Sequence, residues 1–258
     1  MMKAKKEKKG ISIFFPFRAF HNQEFNQGVF VFFLIPPVIN LITLLLLNSI
    51  TQFWGAIINF SLSKLSFEFN VFYTEYFLLD FSFLVPYINL AASPPDAITW
   101  WSYLVVSVVV FLLSFLISDK YTPLIYYTRT FCVLLWFILI FFFFFPASFP
   151  YEISLFTKTG FLQIISLLFA IPWIYCFTYY MFGYRVLRKI IITSVALIYF
   201  IILAPFQYMV NACLIHLYSL ALMPILYVYA GLMMNIFAAV ALFAYGVSLE
   251  QIYIKYKK

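Results

Sequence analysis

The chain has 258 residues, 66% of them hydrophobic and 10% charged, with a formal net charge of +7 and a mean hydropathy of +1.01. A soluble domain carries roughly a quarter charged residues, so this composition excludes that class. Several uncharged runs reach the ~20 residues that cross ~30 Å of hydrocarbon as a helix.

The first residues, MMKAKKEKKG, are basic. The apolar stretch that follows is interrupted by Pro16 and Arg18. It is too short for a signal-peptide core and has no small-x-small cleavage site, so the N-terminus is expected to remain attached, on the cytoplasmic side. Residues 11–27 read as an interfacial amphipathic helix. Phe17, Phe20 and Phe25 fall on one arc, with Arg18, Asn22 and Asn26 opposite. His21 and Glu24, spaced i, i+3, read as a local polar pair at that interface. Residues 1–28 are thus a basic tail with an interfacial helix.

Residues 29–249 read as a single transmembrane domain. Spans are expected at about 29–50, 98–117, 130–146, 161–182, 190–209 and 228–249. The apolar runs are continuous rather than alternating, which points to helices and away from a barrel. The expected fold is therefore an all-α integral membrane protein, a polytopic bundle of about six transmembrane helices. The first span carries Pro36 and Pro37, where a kink is expected. An outer loop over 53–97 follows, rich in aromatics and holding Glu68, Glu75, Asp80 and Asp96. Its LSFEFNV stretch alternates as a short strand does. Its aromatics read as interfacial anchors, or as a cap that docks a partner. At the end of the third span, the run Phe141 to Phe145 puts rings on every helix face, and Pro146 and Pro150 then end the helix.

Charge supplies the orientation. With the N-terminus inside, every basic residue except Lys64 and Lys158 falls on an inner segment, while Glu152 joins the four acids outside. That is the positive-inside pattern. The basic residues belong to short juxtamembrane loops that meet anionic lipid headgroups, which excludes a nucleic-acid partner. Both ends are basic, including the tail 250–258, so both are cytoplasmic and the number of spans is even. The run 190–249 contains no charged side chain. It begins and ends inside, so it crosses twice, with a stretch on the outer side between the crossings. Gln207, Asn211, His216 and Ser219 are accordingly placed in a turn or shallow re-entrant segment between Pro205 and Pro224, at the outer interface.

These four residues are the candidates for polar interaction. His216, with Ser219 at i+3 or Cys213 at i−3, comes nearest to a nucleophile–base pair, but no third residue orients the histidine. Cys132, Cys176 and Cys213 are scattered singly and read as small apolar packers. The two histidines lie on opposite sides of the membrane, so neither haem nor zinc ligation by a pair is expected. The seven glycines form neither a Walker A nor a dinucleotide-binding pattern, and no cofactor is expected. In the last span Asn235, Ala238, Ala241 and Gly246 read as a helix-packing face. Away from their ends, the spans lack ionisable residues, which disfavours ion pumping and proton coupling.

The expected role is a non-enzymatic subunit or scaffold of a membrane assembly, with the lipid bilayer and other membrane subunits as partners. One alternative is a transporter or permease subunit for a neutral or apolar substrate. Another is a lipid-modifying enzyme using Arg185, Arg188 and Lys189 inside, or Glu68, Glu75 and Asp80 outside. A bacterial inner membrane is the expected location, with an organellar or endoplasmic-reticulum membrane as the alternative.

Overall fold

The computed structural model describes residues 25–64, 70–78, 81–180 and 186–256. The expected interfacial helix over 11–27 lies outside these residues, apart from its last three positions. Helix α1 (Phe25–Lys64) is followed by strands β1 (Asn70–Leu78) and β2 (Phe81–Asn89). Then come α2 (Ala97–Leu113), α3 (Thr122–Phe144), α4 (Ile153–Tyr180) and α5 (Val186–Leu217). The chain ends with a short α6 (Met223–Ile225), a π-helical segment (Leu226–Met233) and α7 (Met234–Tyr256). The fold is mostly helical. Five of its helices are long and apolar enough to cross a membrane, the build of an integral membrane protein. The expected span at 98–117 corresponds to α2, which has 17 residues and extends only ~25 Å at 1.5 Å per residue.

Helix α1 passes through Pro36 and Pro37 and continues beyond residue 50 to Lys64. The extension is held by an inward stripe at helical spacing: Leu47, Ile50, Trp54, Ile58 and Leu62 are all buried. The outer segment expected over 53–97 is therefore in part the end of α1. Residues 70–78 and 81–89 of it form an antiparallel hairpin in which Leu78 pairs with Phe81 and Asn70 with Asn89. Of the LSFEFNV stretch read as a strand, residues 65–69 lie outside the described residues, and Asn70 and Val71 open β1.

A two-stranded sheet leaves a row of backbone groups without strand partners. On β2 that outer row is the even-numbered positions. The Asn48 amide of α1 bridges it, donating to the Ser82 carbonyl and accepting from the Leu84 N–H, both at 3.3 Å. Further along, the Ile88 N–H donates to the Thr157 hydroxyl of α4 at 3.1 Å. Between them lies Pro86, which has no N–H to satisfy. The hairpin is thus sealed against α1 and α4, and Phe83, Val85 and Ile88 join the core.

Helices α2 and α3 form an antiparallel pair. Near the start of α2, the Trp100 indole donates to the Leu139 carbonyl at 2.8 Å. Midway, the Trp136 indole donates to the Ser107 hydroxyl at 2.8 Å. At the far end, the Arg129 guanidinium donates to the Ser114 hydroxyl at 3.0 Å and covers the Phe115 ring. Asp96 caps α2, accepting from the Thr99 N–H at 2.9 Å. Hydrogen bonding from the Thr99 side chain, then from its backbone, holds this exposed carboxyl below its ordinary value. Of the five-phenylalanine run, Phe142 is buried and Phe143, Phe144 and Phe145 point outward, as five consecutive rings on a helix must.

Candidate functional site

Helix α5 corrects the placement of Gln207 and Asn211. It runs without a break through Pro205 to Leu217, so these residues stand within a helix rather than in an outer turn. They are also buried, at 7% and 4% exposure, where the sequence placed them among water and headgroups. The reason lies at Pro205. A proline in a helix leaves the carbonyl four residues back without its donor, and here that carbonyl, Ile201, accepts the Trp54 indole N–H at 2.8 Å. The orphaned group is satisfied from α1, and the helix goes on.

Beyond Pro205, the inward face of α5 presents Gln207, Tyr208 and Asn211. The Tyr208 ring lies flat against Gly160 of α4, where an added Cβ would sit 2.1 Å from the ring. It packs on Phe161, with centroids 5.2 Å apart. Its hydroxyl reaches toward the π-helical segment. A π turn is wider than an α turn and recurs at functional sites. Gly231 is buried within this one. A Cβ there would lie 3.9 Å from the Tyr208 hydroxyl and 4.0 Å from Gln163 Oε1. Two polar atoms, one from α4 and one from α5, therefore converge on the single position of the segment that lacks a side chain. One turn on, Asn235 is fully buried. Its amide lies near Tyr208 without hydrogen-bonding geometry. Gln207 Nε2 donates to the Ala230 carbonyl next to Gly231.

The result is a buried cluster of uncharged polar groups drawn from α4, α5, the π segment and α7. Among the described residues, Gln163 Oε1, Gln207 Oε1, the Tyr208 hydroxyl, Asn211 Nδ2 and both amide atoms of Asn235 have no hydrogen-bond partner. An unmet buried polar group costs ~1–3 kcal/mol, so six such atoms make this the most costly polar grouping among the described residues. Gln163 lies ten residues into α4, ~15 Å along its axis. Donors and acceptors are both present, and none of these groups carries charge.

His216 and Ser219 belong elsewhere. His216 stands at the end of α5, its Nδ1 2.6 Å from the Ala91 carbonyl in the loop after β2. In the turn that follows, the buried Ser219 hydroxyl points to the Tyr103 hydroxyl of α2 at 3.5 Å, and the Leu220 N–H donates to the Ser93 carbonyl at 3.0 Å. Both residues sit where this turn is tied to the post-hairpin loop. Of the expected packing face on α7, Asn235 and Gly246 are buried, and a Cβ on Gly246 would meet Ile192 of α5 at 2.7 Å. Ala238 is half-buried against the core, whereas Ala241 is exposed. Its turn of α7 faces away from α5, so the packing face is narrower than the sequence implied.

Sequence reading did not single out Gln163, Tyr208 or Gly231. A signal for the first was present, because Gln163 is the one amide side chain within α4. Among the described residues, no three His, Cys, Asp or Glu side chains come together as metal ligands. No family model matches the chain, and no curated protein or solved structure matches it.

Proposed function

We propose that this protein is a non-enzymatic, multi-pass membrane component that admits an uncharged, hydrogen-bonding solute into its bundle, as a permease or permease subunit does. The observation that carries this reading is the convergence of Gln163 and Tyr208 on Gly231. Neutral amide and phenol groups offer both donors and acceptors without the charge that an ion would require. The location that fits the sequence is a bacterial inner membrane with both termini cytoplasmic.

The test is reconstitution into liposomes, with osmotic re-swelling followed by light scattering across a panel of small polyols and amides. At least one neutral solute is expected to enter faster than into empty liposomes, and Gly231→Leu, which fills the cluster, is expected to abolish the difference. Entry no faster than in empty liposomes across the whole panel would end this reading.

A second reading, as a subunit or scaffold of a larger assembly, is favoured by the hairpin. Its strands expose Phe72 and Phe81 on one face and Phe77 and Leu84 on the other, apolar side chains of the kind that mark interaction sites. Recovery of a stoichiometric partner in mild detergent, lost when Phe77 and Phe81 are replaced by Ser, is its expected result.

A further inference from the structure

Three clefts meet at Tyr151, in the loop between α3 and α4. The first, of about 430 Å³, is apolar and runs between Leu155 and Phe156 of α4 and Pro224, Tyr227 and Val228 beside the π segment. The second, of about 300 Å³, is also apolar and runs down α3 past Phe137, Phe141 and Phe142. The two share Phe149, Tyr151 and Pro224, so they form two arms of one trough divided at the loop. The third, of about 380 Å³, is the most polar of the three, lined by Asn89, residues 90–92, Glu152, Ile153 and Leu220. It touches the other two through Tyr151.

We propose that this junction holds one two-chain membrane lipid with a primary-amine head, its chains in the two apolar arms and its head in the polar cleft. The arrangement of compartments selects the class of ligand. Two apolar arms that join one polar chamber at a single tyrosine match the branching of a diacyl lipid at its glycerol. Tyrosine, apolar in body and polar at its tip, is the residue suited to that boundary. The charge of the chamber selects the head. Glu152 supplies a carboxylate, and the Ser154 hydroxyl donates to its Oε2 at 3.2 Å, which holds the group in position. Among the described residues, no basic side chain lines the chamber. The first turn of α4 borders it, and its N–H groups, at the positive end of the helix dipole, suit the lipid phosphate. An ammonium on Glu152 and a phosphate at the helix start describe a zwitterionic, amine-bearing phospholipid. This site is separate from the polar cluster around Gly231, and its test does not depend on transport.

The protein, stripped in mild detergent, is offered phosphatidylethanolamine, phosphatidylcholine and phosphatidylglycerol in turn, and retained lipid is counted by native mass spectrometry. One phosphatidylethanolamine per chain is expected, in preference to the other two. Glu152→Gln removes a charge-assisted hydrogen bond and is expected to reduce that preference about tenfold while leaving chain binding intact. Leu155→Trp, placed in the first arm, is expected to lower retention of all three lipids. Melting temperatures without lipid show whether each variant folds. If Leu155→Trp fails to fold, Val228→Phe fills the same arm. Equal retention of the three lipids, a preference untouched by Glu152→Gln, or displacement of the lipid by soluble phosphoethanolamine would each overturn the proposal.

Discussion

Glycine does opposite work at two positions of the same cluster, and the difference can be measured. At Gly160 the absent side chain is where the Tyr208 ring rests, so a methyl group would enter the ring at 2.1 Å. Tyr208 is fully buried and flanked by Phe161 and Phe156, and a rigid ring so enclosed has nowhere to move. At Gly231 the nearest atom to an added Cβ is the Leu226 carbonyl oxygen at 3.5 Å, an ordinary contact. Gly160→Ala is therefore expected to destabilise the fold by ~1–3 kcal/mol, the usual cost of overpacking. Gly231→Ala is expected to melt within about 0.5 kcal/mol of the unaltered protein. Thermal unfolding in detergent, followed by circular dichroism, distinguishes them; equal melting temperatures would show that Tyr208 does not rest on Gly160. The same residues show what can be read from sequence at this scale. Gln207 and Asn211 stand out because they are amides in an uncharged run, and they are indeed unusual. Their depth was not legible, because Pro205 reads as the end of a helix unless Trp54, 147 residues away, is known to satisfy Ile201.

At the scale of elements, the hairpin is the departure from an all-helical reading, and its survival beside a membrane bundle depends on side chains that act as a third strand. Asn48 alone meets two groups on the β2 edge, the Ser82 carbonyl and the Leu84 N–H. Replacing it with the isosteric but apolar Leu leaves both unmet, each worth ~1–3 kcal/mol when buried. These bonds are exposed, so the cost lies at or below the lower end of that range. Asn48→Leu is expected to lower stability by about 1 kcal/mol and to speed amide exchange at Leu84 more than at Ile88, which is held by Thr157 instead. Uniform exchange along β2 would argue that the edge opens as a whole and that Asn48 does not pin it. The helices of the bundle were legible from apolar runs because lipid imposes the same demand on every turn. The hairpin was not, for two reasons. Its strands are aromatic throughout, so period-two alternation is faint, and neither Gly nor Asn occupies the two positions between Leu78 and Phe81 to announce a tight turn. The continuation of α1 to Lys64 was missed for a related reason. Its inward stripe is interrupted by polar residues such as Gln52 and Asn59 on the other faces, which a search for continuous apolar runs reads as the end of a span.

For the molecule as a whole, hydrogen bonds between distant segments decide which ends of the helices lie together. The loop after β2 is held to the turn after α5 by His216 on Ala91 and Leu220 on Ser93. The end of β2 is held to the second turn of α4 by Thr157. Trp100 on Leu139 puts the start of α2 beside the end of α3, and the loop from there leads directly to α4. Residues 88–93, 152–157 and 216–220 therefore share one end of the bundle, and the α2–α3 turn, with Arg129 on Ser114, occupies the other. We propose, from the positive-inside pattern of the basic residues, that the hairpin end faces outside. To test this, Cys132, Cys176 and Cys213 are first replaced by Ser or Ala, and single cysteines are then placed at the exposed positions Ser93, Tyr218 and Lys120. A membrane-impermeant maleimide applied to intact cells is expected to label Ser93→Cys and Tyr218→Cys. It should reach Lys120→Cys only after the membrane is opened. The reverse pattern would keep the fold and invert its orientation. Labelling of both Ser93→Cys and Lys120→Cys from outside would mean that the α2–α3 pair does not cross. The 17-residue α2 would then lie within one leaflet, and the six-span threading would fail at its shortest helix.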